Sequence, residues 1–203
     1  MRLVPALRVA IFLAGLCAGG ASAQEGPVAG PPGGNIIGDP ASGKKLSAQC
    51  RTCHGAEGIA VMPVAPNIGG EPVGYLVRQL TAFHDGTREN EMMSVVAASL
   101  TPQQIADVAA FYAAFRATGE APSGRSPPAP CVDCHGADGI ARIPDAPNLA
   151  GETAMYVDTQ LKAFRSGKRV HEIMSPVAAA LSDSEIRELA DYYGATRLTV
   201  SAE

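Results

Sequence analysis

Residues 50–113 lie over residues 131–194 without a gap, at a fixed offset of 81, and nearly half of the positions are identical. A repeat of this length means two copies of one small domain in tandem. Cys50-Arg51-Thr52-Cys53-His54 returns as Cys131-Val132-Asp133-Cys134-His135, and the Gly-Ala-acid-Gly-Ile-Ala that follows ends at Ala60 and Ala141. Ala65-Pro66-Asn67 returns as Ala146-Pro147-Asn148, and Gly70-Glu71 as Gly151-Glu152. Tyr75, Gln79, Leu80, Phe83, Gly86 and Arg88 return as Tyr156, Gln160, Leu161, Phe164, Gly167 and Arg169.

The pentapeptide C-x-x-C-H is the attachment sequence of c-type haem. Two thiols three residues apart on a helical turn form thioethers with one porphyrin, and the imidazole of the next residue lies under the iron. The sequence therefore predicts two covalently attached haem c groups, one on Cys50, Cys53 and His54 and one on Cys131, Cys134 and His135. Four thiolates around zinc would leave the two adjacent histidines unexplained, and free cysteine pairs oxidise in an exported chain. Redox C-x-x-C motifs need a βαβ pattern, which neither motif has.

Export is read from the N-terminus. Arg2 and Arg8 precede the apolar run Val9–Leu16, and Ala21-Ser22-Ala23 is a small-residue cleavage site. Cleavage before Gln24 removes Cys17, the fifth cysteine. The apolar run is short of the roughly 20 residues needed to span a bilayer, and Leu16 is bulky for a lipobox ahead of Cys17. A soluble exported protein is the expectation. Without Arg2 and Arg8 the 16 Lys and Arg fall to 14 against 20 Asp and Glu. That acidity argues against nucleic acid, which wants a basic face, and suits partners with basic or apolar docking patches.

The element pattern is helical. Leu76, Leu80 and Phe83 mark one helix face, and Ile105, Val108, Ala109 and Tyr112 mark another at i, i+3, i+4, i+7. The second of these helices opens on Thr101-Pro102-Gln103-Gln104, and its counterpart, with Ile186, Leu189, Ala190 and Tyr193, on Ser182-Asp183-Ser184-Glu185. Both openings are capping boxes. No alternating strand pattern of useful length appears, so the expected fold is all-α, two tandem haem domains. The expected division is a signal peptide over 1–23, a flexible leader over 24–38, a first domain over 39–117, a linker over 118–130 and a second domain over 131–203. Pro40–Cys50 suits a helix leading into the first motif; 124–130, with three prolines, does not.

A haem with histidine on one side is defined by what lies on the other: methionine favours electron transfer, an open position ligand binding. Met62 maps to Ile143, Met92 to Ile173 and Met155 to Gly74, whereas Met93 and Met174 map to each other, each 39 residues after its histidine. They are the expected sixth ligands, with the adjacent Met92 as the alternative in the first domain. The iron ligands are then His54, Met93, His135 and Met174. His84 maps to Arg165 and His171 to Asn90, which reads both as surface histidines. Pro66 and Pro147 fall where a backbone carbonyl would accept the imidazole Nδ1 proton. Arg88 and Arg169, five residues before the methionines, would pair with haem propionates.

Over about Asp39 to Thr196 these residues resemble the dihaem cytochromes c, most closely the cytochrome c4 family. The motifs that carry the resemblance are Cys50-x-x-Cys53-His54-Gly55, Pro66-Asn67-Ile68-x-Gly70-Glu71, Tyr75-Leu76-x-x-Gln79-Leu80-x-x-Phe83, Gly86-x-Arg88 and Met93, each largely repeated in the second half. The resemblance implies two cytochrome c folds about a pseudo-twofold axis, His/Met iron in both, and proline carbonyls on the proximal histidines. It implies a non-enzymatic carrier in the periplasm, moving electrons from respiratory donors to a terminal oxidase or reductase. Redox proteins are its partners, and peripheral association with the membrane is compatible with it. A dihaem subunit of a larger dehydrogenase shares these motifs, and a peroxidase or gas sensor would need one methionine not to ligate. Glu71 and Glu152 stand where the family often has Gln.

Overall fold

The computed structural model describes residues 36–126, 128, 129 and 131–202. The expected signal peptide and most of the leader lie outside them. In the first half, Pro40–Leu46 (α1) starts on Asp39, whose carboxylate accepts the Ala41 and Ser42 N–H groups, with Pro40 in the first turn. A 3-10 turn at Ser47–Gln49 leads into Arg51–His54 (α2), which carries the first haem motif and stops at Gly55, φ 76°. Val73–His84 (α3), Met93–Ala98 (α4) and Pro102–Ala113 (α5) complete this half. The second half repeats it with Val132–His135 (α6), Ala154–Ser166 (α7), Met174–Ala179 (α8) and Asp183–Gly194 (α9). Both capping boxes form as the sequence requires, Thr101 with Gln104 and Ser182 with Glu185.

Each core is small. In the first half Leu76, Val108, Ala109 and Tyr112 cluster where α3 crosses α5, with Cys50 packed against them. In the second, Val157, Leu161, Phe164, Ile186, Leu189 and Ala190 cluster between α7 and α9, and Cys131 and Met174 lie on their edge. A fully buried aliphatic or aromatic side chain contributes about 1.5–3 kcal/mol, so each cluster alone is a modest core for a domain of this size. The halves differ at their entry. α1 packs on α5, where a Cβ on Gly43 would lie 1.9 Å from the Asp107 carbonyl oxygen. Among the described residues the second half has no such helix; Arg125, from the preceding segment, donates to the Asp191 carbonyl and lies 5.9 Å from the Tyr192 ring.

One element departs from the all-helical expectation. Phe115–Glu120 (β1) pairs antiparallel with Arg197–Ala202 (β2). The sheet takes in Thr118–Glu120, which the sequence reading assigned to the linker. Phe115, Ala117 and Gly119 face inward with Leu198 and Val200, while Arg116, Thr118, Glu120 and Arg197 are exposed. The register is symmetric: Thr118 pairs with Thr199, its own equivalent 81 residues on. Gly70 and Gly151 pass against these strands at φ 74° and 64°, where an added Cβ would sit 2.6 Å from that of Ala117 and 2.7 Å from that of Leu198. Only glycine tolerates both the backbone angle and the approach.

The halves also join through their Pro-Asn loops. Asn67 N–H donates to Glu152 Oε1 (2.9 Å), and Asn148 N–H donates to Glu71 Oε2 (2.9 Å). The Asn148 side chain adds a bond to the Gly70 carbonyl (2.9 Å), and Thr153 Oγ1 donates to the Pro63 carbonyl (2.6 Å).

Candidate haem sites

The cysteines of each motif lie on one short helical turn, half-buried and outside any disulfide. Burial pushes the Cys50 thiol up to about 11 and raises that of Cys131 as well. Such surroundings suit neutral sulfur, as in a thioether, and oppose the thiolates that zinc needs. The histidine that ends each turn is buried. His54 Nδ1 lies 2.9 Å from the Pro66 carbonyl oxygen and His135 Nδ1 2.9 Å from that of Pro147. A carbonyl can only accept, so the proton sits on Nδ1 and Nε2 keeps its lone pair for a metal. Burial also holds both imidazoles below their ordinary range, against the pull of the carbonyls, which keeps them neutral.

The opposite ligand candidates begin short helices. Met93 is half-buried as the first residue of α4, and Met174 likewise of α8, whereas Met92 is 66% exposed. Asn90 fixes the first of these turns: its Oδ1 accepts the Met92 and Met93 N–H groups at 3.1 and 3.0 Å. In the second half the same work falls to His171, whose Nδ1 accepts from Ile173 and Met174 at 3.2 and 3.3 Å. Read as a surface histidine in the sequence, His171 is half-buried and holds the turn that presents Met174. His84 is exposed, with Nδ1 2.7 Å from Asp85.

Arg88 and Arg169 meet at the boundary between the halves. Gln160 Oε1 accepts from Arg88 and from Arg169, both at 2.8 Å; Gln79 Oε1 accepts from the same two guanidiniums at 2.6 and 2.9 Å. Each arginine lies 4.4 Å from a ring centroid, Phe83 or Phe164, and Arg169 also donates to the Tyr75 hydroxyl (3.2 Å). The sequence marked Gln79 and Gln160 as repeated positions without assigning them work. Their work is to hold two cations side by side.

The donor set fits a c-type haem in each half: two thiols on one turn, a tautomer-fixed imidazole beside them, and a half-buried thioether that opens a helix. Comparison with known proteins agrees. Residues 40–113 match the family model described as cytochrome c, and residues 129–192 that of cytochrome c oxidase, cbb3-type, subunit III. The chain is 33% identical to cytochrome c4 of Pseudomonas aeruginosa over 179 residues, 78% of this chain and 89% of that one. It is 34% identical over 166 residues, 71% of this chain and 77% of the other, to the thiosulfate dehydrogenase electron acceptor of Stutzerimonas stutzeri. The structure of reduced cytochrome c4 from Pseudomonas stutzeri superposes with a TM-score of 0.69 at 28% identity, covering 78% of this chain and 99% of that one. With two cytochrome c domains, each carrying its own covalent haem c, this chain belongs to the cytochrome c4 family of dihaem electron carriers.

Proposed function

We propose that the chain works in the periplasm, carrying electrons from a respiratory donor to a terminal oxidase or reductase and catalysing no reaction of its own. The observation that carries this reading is the equivalence of the two half-sites: the same carbonyl-bound histidine and the same helix-opening methionine occur in both. The haem, when bound, supplies a ferric/ferrous couple. His54 with Met93 and His135 with Met174 would hold the iron from both sides, which would leave no site for a substrate. Pro66 and Pro147 fix the tautomer and ring plane of the histidines. The thiols of Cys50, Cys53, Cys131 and Cys134 tether the group. Arg88 and Arg169, ordered by Gln79 and Gln160, offer positive charge to the propionates. Ligands held by these carbonyl and side-chain contacts would keep reorganisation small as the charge changes.

Absorption spectra of the purified protein, oxidised and reduced, with and without carbon monoxide, test this. Two low-spin haems with the methionine–iron charge-transfer band and no response to the gas are expected. A high-spin component or a carbon monoxide shift would overturn a methionine assignment and restore an enzymatic or sensing role.

Similarity to a thiosulfate dehydrogenase electron acceptor favours a second reading, in which the donor is a dehydrogenase held in a stable complex. A partner retained through purification from the native source would establish it. The chain emerging alone would favour the free carrier.

A further inference from the structure

The bond from His54 and the bond to Glu152 meet on one peptide group. His54 Nδ1–H donates to the Pro66 carbonyl, and the N–H of the same peptide unit, that of Asn67, donates to Glu152 Oε1 in the other half. The second site mirrors it: His135 to the Pro147 carbonyl, and Asn148 N–H to Glu71 Oε2. All four bonds are 2.9 Å long. A negative charge accepting from the N–H of an amide pushes electron density onto its carbonyl oxygen. That oxygen then draws harder on the imidazole proton, and the ring becomes a stronger donor to metal.

We propose that Glu71 and Glu152 are positioning residues that act in a crossed fashion, each setting through one peptide unit the donor strength of the proximal histidine in the opposite half, and so coupling proton uptake to reduction. The proposal rests on the histidine ligation given above. In the step, one electron arrives from the donor protein at the haem of one half, and the carboxylate of the other half takes one proton from solvent to become the acid. Oxidation returns the proton.

The surroundings suit such a switch. Glu71 and Glu152 are 4% and 3% exposed, and Glu152 Oε2 is buried with no hydrogen-bond partner among the described residues. Burial raises Glu71 to about 8, against the opposing bond from Asn148; burial, and after it the nearby Glu71, also raises Glu152, against the bond from Asn67. No ion pair reaches either carboxyl among the described residues. Tyr156 of α7 faces Glu152, with Tyr75, Arg88 and Arg169 next to it. α5 and α9 present Tyr112 and Tyr193, whose hydroxyls donate to the Gly55 and Gly136 carbonyls, and the charged residues of β1 and β2 lie on the exposed face.

Midpoint potentials of the two haems, resolved and assigned by NMR of the holoprotein between about pH 6 and 10, test the proposal together with Glu71→Gln and Glu152→Gln. Glutamine keeps the acceptor oxygen and removes the charge. In the unsubstituted protein the ferrous to ferric ratio at fixed applied potential is expected to fall by on the order of tenfold as pH rises through each titration. E71Q should abolish this at the His135 haem and spare the His54 haem; E152Q should do the reverse. Infrared difference spectra should show a protonated carboxyl band on reduction, lost in stages with each variant. Potentials that ignore pH, or variants that act only on the haem of their own half, would overturn the relay. Failure of the ligation itself would be distinct: low-spin spectra would then be missing from the unsubstituted protein at every pH.

Discussion

At the residue scale, the choice between two adjacent methionines decides the first site. Met93 is half-buried where Met92 points to solvent, and the Asn90 side-chain Oδ1 accepts from both of their amides. Met93→Ala and Met174→Ala should each let carbon monoxide bind one reduced haem and lower its potential, while Met92→Ala leaves coordination intact. Loss of the charge-transfer band in the Met92 variant would reverse the assignment. The haem-attaching residues were legible because their chemistry is local: two thiols and an imidazole in five consecutive positions. The partners of Glu71 and Glu152 were not. A duplicated sequence says that Glu71 and Asn67 each have an equivalent, but not whether contacts run within a copy or between copies, and here they cross.

At the scale of the element, the helices were readable and the strands were not. Leu76, Phe83, Ile105, Val108, Tyr112, Ile186 and Tyr193 repeat at helical spacing, and all are buried in the folded chain. The capping boxes supplied the starts of α5 and α9. Thr101→Ala and Ser182→Ala should each lower stability by about 1 kcal/mol in urea titrations, as N-cap losses do; an unchanged midpoint would mean that the caps are redundant with packing. β1 and β2 have only six residues each, and the inward positions of β1 include Ala117 and Gly119. Alternation that weak carries no signal alone. The partner strand is supplied by the other copy, beyond the reach of any local pattern. The turns before α4 and α8 show a related blindness: Asn90 and His171 share no side-chain type, yet each accepts the same two amides.

For the whole molecule, the contact between halves combines the β1–β2 sheet with polar loop contacts, and its most consequential members are two buried acids. Both bind protons more tightly in the folded chain than in the unfolded one, because burial disfavours their charge. Between the ordinary carboxyl range and the raised values the folded state therefore holds the extra protons, and stability falls as pH climbs through that window. For Glu71, raised from 4.5 to about 8, the loss is on the order of 5 kcal/mol. Urea titrations from mildly acidic to alkaline pH should show the decline, and E71Q should flatten part of it; a pH-independent midpoint would mean that the carboxyls are relieved by rearrangement of the loops.

The pairing of Thr118 with Thr199 has a meaning beyond the sheet. A segment that meets its own equivalent across a twofold axis makes an isologous contact, the kind that joins the subunits of a homodimer. The molecule is thus a dimer written into one polypeptide. A true homodimer falls apart on dilution and must keep its two faces identical. Tethering removes both constraints, since the partner is always present and each half can change alone. Val61 and Val64 already answer to Arg142 and Asp145, and Asp145 now forms an ion pair with Arg78 of the opposite half. Two sites born equal have become free to differ.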